Sequence, residues 1–182
     1  MFIDYVTMML INMTGGLAVL SFFLLKGIDS ENKASWSPAF GISGLVAAVC
    51  GFAMAFSWPL PKPYNAPYGE MSVFLGVLFL GTSWALAKNW SLLPLSIYAF
   101  FAGAAAMLLG VRIINLSLTQ SPVLAGAGFI LTGLGGVSAG LILWKHKVKF
   151  LRIAGAVVML AAAAIWALIG YIAYWKHLVP PA

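Results

Sequence analysis

Residues 150–174 read FLRIAGAVVMLAAAAIWALIGYIAY, an apolar run in which Arg152 is the single charged side chain. An α-helix needs about 20 mainly apolar residues to cross the roughly 30 Å hydrocarbon core of a lipid bilayer. The run exceeds that length and contains no proline, so it predicts a membrane-spanning helix. Five runs of the same character precede it, and together they predict six spans at 5–26, 39–58, 68–87, 92–116, 123–144 and 150–174.

The composition of the whole chain agrees with a location in lipid. Of its 182 residues, 63% are hydrophobic and 8% are charged, whereas soluble domains carry about 25% charged residues. A surface with so few charges suits lipid rather than water. The sequence therefore predicts an all-α integral membrane protein, a single bundle of six transmembrane helices over residues 1–182. The first apolar run lacks a basic leader, so we expect it to be retained as a helix.

Lysine and arginine are distributed unevenly between the two sets of connections. The first, third and fifth connections contain seven of them and the opposite set contains three, and cationic loops prefer the cytoplasm. This bias predicts that both termini lie outside, in a multi-pass protein of the cell membrane. The seven are Lys26, Lys33, Lys88, Lys145, Lys147, Lys149 and Arg152, and the three are Lys62, Arg112 and Lys176.

Residues that perform catalysis or bind metal ions are scarce. The chain has four acidic residues and two histidines, and the histidines fall on opposite predicted faces of the membrane. Metal sites and activated nucleophiles both need several such groups close together. We therefore expect no enzymatic activity, no metal and no cofactor, and, because the positive charges lie in short loops, no binding of nucleic acid. The residues concerned are Asp4, Asp29, Glu31, Glu70, His146 and His177.

Polar residues within the predicted spans are candidates for a transport path. Asn12, Thr82 and Ser83 offer hydrogen-bond donors and acceptors to a small neutral solute. The alternative is that these side chains hold neighbouring helices together, as polar groups in membrane proteins often do. The absence of an acidic residue at mid-membrane favours neutral cargo or none.

A second group of candidates lies toward the predicted outer face. Glu70 stands in the first turn of the third span, where a carboxylate complements the positive end of a helix. It is either such a helix-end charge or the polar gate of an outer vestibule. Arg112 and Asn115 lie on the same predicted face, as does Asp4. Pairing of Arg112 with Glu70 or Asp4 would avoid an isolated charge near lipid.

Small residues recur at every fourth position in the fifth span, at Gly128, Thr132, Gly136 and Gly140. Small side chains on one face of a helix allow two backbones to approach closely. Close helix packing or a contact between subunits is therefore one interpretation, and a narrow pore lined by exposed carbonyl groups is the other. Comparison of the first three spans with the last three reveals no shared motif.

The connection between the second and third spans resembles the signature of a known family. Residues 59–70 read PLPKPYNAPYGE, which resembles a motif of bacterial and archaeal membrane proteins known only as domain of unknown function 981. The chain length and the number of predicted helices agree with that family. The resemblance implies a membrane protein and brings no assigned activity.

The architecture is also similar to that of the amide and urea channels. This resemblance is carried by KGIDSENK at 26–33, YG at 68–69 and FLG at 74–76. It implies a homo-oligomer, a hexameric ring with a pore through each subunit. The fifth span here is rich in glycine rather than tryptophan, and the sixth lacks that family's glutamate. Urea selectivity and acid gating therefore do not carry over.

Three hypotheses of function follow from the sequence. The first is a passive channel or facilitator for a small neutral solute, of the urea or amide class by resemblance. The second is a non-catalytic structural or accessory subunit of a larger membrane complex. The third, an intramembrane enzyme or cofactor protein, is disfavoured because the necessary sets of ligands are missing. The lipid bilayer is the partner common to all three.

Overall fold

The computed structural model describes residues 5–60 and 64–177, except for the side chains of Tyr5 and His177. Within these residues the chain forms six α-helices and no strand. The helices are α1 (Tyr5–Phe22), α2 (Ser37–Ser57), α3 (Met71–Ala87), α4 (Leu93–Asn115), α5 (Pro122–Trp144) and α6 (Lys149–His177).

Short helical segments extend three of these helices. A π-helical turn at Phe23–Gly27 continues α1, a 3₁₀ turn at Lys33–Trp36 leads into α2, and a second π-helical turn at Ala66–Glu70 leads into α3. With these segments, six helices of the described chain are long and apolar enough to cross a membrane. The predicted number of spans is confirmed, and the protein is an all-helical, multi-pass membrane protein.

Proline marks the start of three of the helices. Pro38, Pro94 and Pro122 lie in the first turn of α2, α4 and α5. Proline is suited to this position because an N–H group there has no partner within the helix to lose. The sequence prediction started the second and fifth spans just after these prolines, at 39 and 123, and so placed both helix starts slightly too late.

The helices form a ring in chain order, and α6 closes it by packing against α1. The most extensive contacts join α2 to α3, α4 to α5, and α6 to α1, whereas α3 and α4 touch least of all consecutive pairs. The bundle is therefore three antiparallel pairs around a central space, with one loose seam. We call the end that holds residues 5 and 177 the termini face, and the end that holds 28–32, 88–92 and 145–148 the basic face.

Two of the three helix pairs are built on the same pattern of small residues. In α2 with α3, and again in α4 with α5, small residues recur at every seventh position and meet across the antiparallel contact. A seven-residue repeat keeps one face of a helix toward its partner. A comparison of sequence halves does not detect this pattern, because the repeated unit is a two-helix hairpin. The facing residues are Ser37 with Ser83, Gly44 with Gly76, Gly51 with Gly69, Ser96 with Gly140, Gly103 with Gly133, and Gly110 with Gly126.

Where two glycines face each other, the backbones approach so closely that a side chain does not fit. A Cβ atom added to Gly103 would lie 2.5 Å from the carbonyl oxygen of Gly133, and one added to Gly110 would lie 2.7 Å from that of Gly126. Backbone contact of this kind is a main source of helix association where lipid removes the hydrophobic driving force. Each hairpin is therefore held together along its length by direct backbone packing.

Candidate functional site

The six helices surround a central cavity of about 180 Å³. All of them contribute to its wall, which consists mainly of leucine, methionine, phenylalanine, alanine and glycine. Within the described residues, no charged side chain lines it. Such a wall offers water few hydrogen-bond partners, and apolar cavities of this kind stay dry and accept apolar guests.

Aromatic rings bound the cavity toward both faces of the bundle. Toward the basic face, Phe40 makes edge-to-face contacts with Phe23 and Phe79, with ring centroids 5.6 and 5.3 Å apart. Toward the termini face, the ring of Phe129 lies 6.0 Å from that of Tyr68. The four phenylalanines are buried, so packed rings form part of the cavity wall toward both faces of the bundle.

Five hydroxyl groups belong to residues that line the cavity, and they fall into two classes. Those of Thr82, Ser96 and Thr132 donate to a carbonyl oxygen of their own helix over 2.6–2.8 Å. Those of Tyr68 and Ser72 form no hydrogen bond with any residue that the structure describes. The first class is already satisfied by the protein, and the second is available to a guest.

The seam between α3 and α4, where consecutive helices touch least, forms one side of the cavity. Leu75 and Leu78 of α3, and Ala99 and Ala102 of α4, line the cavity and are only half-buried. The cavity therefore lies directly behind the loosest contact between consecutive helices of the ring.

Two side-chain contacts bridge this seam. The rings of Phe74 and Tyr98 meet edge to face with centroids 6.0 Å apart. Closer to the basic face, Leu95 covers Gly81, where an added Cβ would lie 3.1 Å from the leucine methyl carbon. The bridges occupy the middle of the seam and its basic end, where residues 88–92 join the two helices.

Two of the three residues predicted to line a transport path join helices instead. The side-chain amide of Asn12 donates to the carbonyl oxygen of Ser43 over 2.9 Å and thereby links α1 to α2. Ser83 and Ser37 each donate a hydroxyl hydrogen to the other's carbonyl oxygen, over 2.8 and 2.9 Å, and link α3 to α2. Of the three, Thr82 stands on the cavity wall. The alternative role in helix association is the one that the geometry gives to Asn12 and Ser83.

The residues predicted to form an outer vestibule are not brought together. Glu70, Arg112 and Asn115 are exposed, and no ion pair joins Arg112 to Glu70 in the described structure. Asp4, the other predicted partner, lies outside the described residues. In the same described part of the chain, no three histidine, cysteine or acidic side chains lie close enough to share a metal ion.

The stripe of small residues on α5 serves two neighbours rather than one. Gly128 lies under the indole of Trp166 on α6, and the indole N–H donates to the hydroxyl oxygen of Thr132 over 3.1 Å. Gly136 and Gly140 instead face α4. The stripe is therefore used for helix packing, as the first interpretation expected, but it is divided between α6 and α4.

Arg152 was predicted only as a loop cation, and it is buried. Its guanidinium donates to the carbonyl oxygens of Leu24 and Leu25, over 2.8 and 2.9 Å, and to the carboxylate of Asp29. These carbonyls lie in the π-helical turn that ends the first span, where a cation offsets the negative end of the helix. Arg152 thus ties the start of α6 to the end of the first span at the basic face.

Asn65 has a structural role in the proline-rich connection between α2 and α3. Its side chain is fully buried, and it accepts a hydrogen bond from the backbone N–H of Leu60 and donates one to the carbonyl oxygen of the same residue. This pair of bonds closes the connection between α2 and α3. It thereby fixes where Ala66–Glu70, and with it Tyr68, enters the bundle.

Sequence reasoning missed Tyr68 and Ser72 as cavity residues. Their spacing of four places both on one face of a helix, and this was visible in the sequence. It did not indicate which face turns inward, because α3 is apolar on all sides. A cavity formed by six helices also depends on their mutual rotation, which no single span records.

Comparison with known proteins identifies a family but no activity. Residues 1–179 match the family described as "Protein of unknown function (DUF981)". No curated protein and no solved structure matches the chain, so the resemblance to the amide and urea channels receives no support. The match spans nearly the whole sequence and includes the segment at 59–70 that first indicated it. The chain therefore belongs to the DUF981 family of membrane proteins of unknown function.

Proposed function

We propose that this protein is a membrane-embedded binding protein or facilitator for a small, neutral and mainly apolar molecule, which occupies the central cavity. The observation that carries the proposal is the cavity itself, about 180 Å³ in volume and lined without a charged side chain in the described residues. For comparison, an engineered apolar cavity of about 150 Å³ binds benzene or xenon. A short hydrocarbon chain or a single ring is a guest of matching size.

The packing of the ring explains why a cavity persists at its centre. The glycine contacts within the two hairpins hold α2 against α3, and α4 against α5, at their closest possible separation. The spacing of the helices within each hairpin is thus fixed, and neither hairpin can rearrange internally to fill the centre without losing those contacts. Filling an apolar void with a guest restores dispersion contacts that its wall otherwise lacks.

The proposed guest is neutral, as in the channel hypothesis, but it is mainly apolar rather than polar like urea or an amide. The lining favours an apolar guest over urea or an amide, because buried amide groups need hydrogen-bond partners. Access from the bilayer at the α3–α4 seam is supported by the sparse contact between these two helices. The accessory-subunit hypothesis has no specific observation in its favour.

The test is saturable photolabelling in proteoliposomes by a short alkane that carries a diazirine group. Labelled peptides should contain cavity residues such as Met71 and Met159, and unlabelled alkane should compete. Ala102→Phe, which fills the cavity from α4, should abolish competition. Ala104→Phe adds the same ring to the exposed face of α4 and should leave it unchanged. The proposal is wrong if labelling does not saturate. It is also wrong if unlabelled alkane competes equally well in Ala102→Phe and Ala104→Phe.

A further inference from the structure

We infer that Tyr68 and Ser72 form a head-group site inside the cavity, and that the guest is a neutral amphiphile with one hydroxyl or carbonyl oxygen. The inference rests on the proposed function, because it names the class of molecule that the same cavity takes. The two residues lie one helical turn apart at the start of the third span, and both line the cavity.

The bonding of the wall hydroxyls distinguishes these two from the rest. The hydroxyl groups of Thr82, Ser96 and Thr132 donate hydrogen bonds to carbonyl oxygens of their own helices. In the described structure, the hydroxyls of Tyr68 and Ser72 have no such partner. A hydroxyl group in an apolar site is costly unless it finds a hydrogen bond. A guest with a single polar oxygen supplies that bond to each of them.

The charges around the site oppose an anionic guest, and the apolar wall opposes an ion of either sign. No cationic side chain lines the cavity in the described residues, so a carboxylate or a phosphate there would have no counter-ion. The nearest charged residue along the chain is Glu70, which is exposed and carries the same sign as such a guest. An anion therefore lacks a counter-ion in the cavity and is repelled by Glu70. Neither effect applies to an alcohol, a ketone or a quinone.

The position of the site matches the way an amphiphile lies in a bilayer. Tyr68 belongs to the turn Ala66–Glu70, where the third span begins at the termini face. From there the cavity runs past Leu75 and Leu78 toward Phe23 and Phe40 near the basic face. The polar oxygen is thus held near the membrane interface while the hydrocarbon part points into the bundle. A molecule in this orientation reaches the cavity by moving sideways through the α3–α4 seam.

The experiment compares two diazirine probes of equal chain length, an aliphatic alcohol and the corresponding alkane, in proteoliposomes of the wild-type protein and of variants. After correction for partition into lipid, the alcohol should label wild type at a lower half-saturating concentration than the alkane. Tyr68→Phe combined with Ser72→Ala should raise that concentration for the alcohol by about tenfold, the effect of two lost hydrogen bonds. The alkane should be unaffected. Ser138→Ala removes a hydroxyl that is bonded within α5 and does not line the cavity, so it should change neither probe.

The outcomes separate this inference from the proposed function. Saturable labelling by both probes with equal half-saturating concentrations in wild type would overturn the head-group site and leave the proposed function standing. Labelling that saturates with neither probe would overturn both. Alkane labelling of the double variant reports that its cavity is intact, and the wild-type comparison of the two probes decides the question even without that variant.

Discussion

The guanidinium of Arg152, at the start of α6, donates its Nε hydrogen to the carbonyl oxygen of Leu24, near the end of the first span, over 2.8 Å. The two residues stand far apart in sequence, and the bond closes the ring of helices at the basic face. The last carbonyls of a helix have no partner within it. A buried arginine that serves two of them, Leu24 and Leu25, therefore acts as a cap supplied by another helix.

We expect Arg152→Met to lower the stability of the bundle by about 1–3 kcal/mol, because it leaves buried carbonyl oxygens without a donor. Arg152→Lys should recover only part of this loss, since an ammonium lacks the fork of the guanidinium. Asp29→Asn should have a small effect, because Asp29 is largely exposed. Unfolding of purified protein in detergent measures all three. A larger loss in Asp29→Asn than in Arg152→Met would contradict the assignment.

The ion pair with Arg152 also predicts a pH dependence. The hydrogen bond from Arg152 lowers the pKa of Asp29 below its ordinary value, which is about 3.9. Because the pKa is lower in the folded state, the pair stabilises the protein above about pH 4, and this contribution is lost as the pH falls through the folded pKa. The difference in unfolding temperature between wild type and Asp29→Asn should be constant near neutral pH and vanish in strong acid. A difference that grows with acidity would contradict the prediction.

Gly103→Ala should destabilise the protein, by about 1–3 kcal/mol if the helices separate to accommodate the methyl group. The added Cβ would lie 2.5 Å from the carbonyl oxygen of Gly133. Gly15→Ala is the matched control, because nothing lies within 4 Å of the added atom, and alanine favours a helix by about 1 kcal/mol over glycine. The free energy of unfolding in detergent should therefore fall in Gly103→Ala and rise in Gly15→Ala. The same direction in both would refute the hairpin contact.

Asn65→Ala should loosen the connection between α2 and α3 at a cost of about 1–3 kcal/mol, since it removes both partners of the Leu60 backbone. Asn115→Ala, on an exposed asparagine at the end of α4, should have little effect. Limited proteolysis near residue 60 and thermal unfolding together measure the change. Equal rates of proteolysis and equal unfolding temperatures in the two variants would show that Asn65 does not fix the connection.

The predicted orientation is open to direct measurement. Cys50 is buried and is the single cysteine of the chain, so a Cys50→Ala background allows single cysteines to be introduced elsewhere. Ser117→Cys lies on the termini face and should react with an impermeant maleimide in intact cells. Lys147→Cys lies on the basic face and should react only after permeabilisation. The reverse pattern would place both termini in the cytoplasm.

The fold was accessible from the sequence because membrane insertion depends on properties that each segment carries by itself. Residues 150–174 predict a span from length and apolar composition alone, and the same holds for the other five. Proline at the first turn moved two helix starts by only one or two residues. These are local features, and no knowledge of neighbouring helices is needed to recognise them.

The candidate site was less accessible because it depends on how the helices rotate against each other. Asn12 was considered as a pore residue, but its amide faces α2. Arg152 was counted with the loop cations, yet its partners Leu24 and Leu25 come from the opposite end of the sequence. Tyr68 was quoted only as part of a resemblance. Polar residues in a membrane span have two uses, packing and binding, and the side chain's direction decides between them.

The doubled hairpin has a mechanical consequence. The two hairpins, α2 with α3 and α4 with α5, are each stiffened by close glycine contacts. They are joined through residues 88–92 and make few contacts with each other along the α3–α4 seam. Deformation concentrates where stiffness is lowest, so the easiest motion of the bundle is a rotation of one hairpin against the other about residues 88–92. Such a motion would part Phe74 from Tyr98 while every glycine contact stays intact.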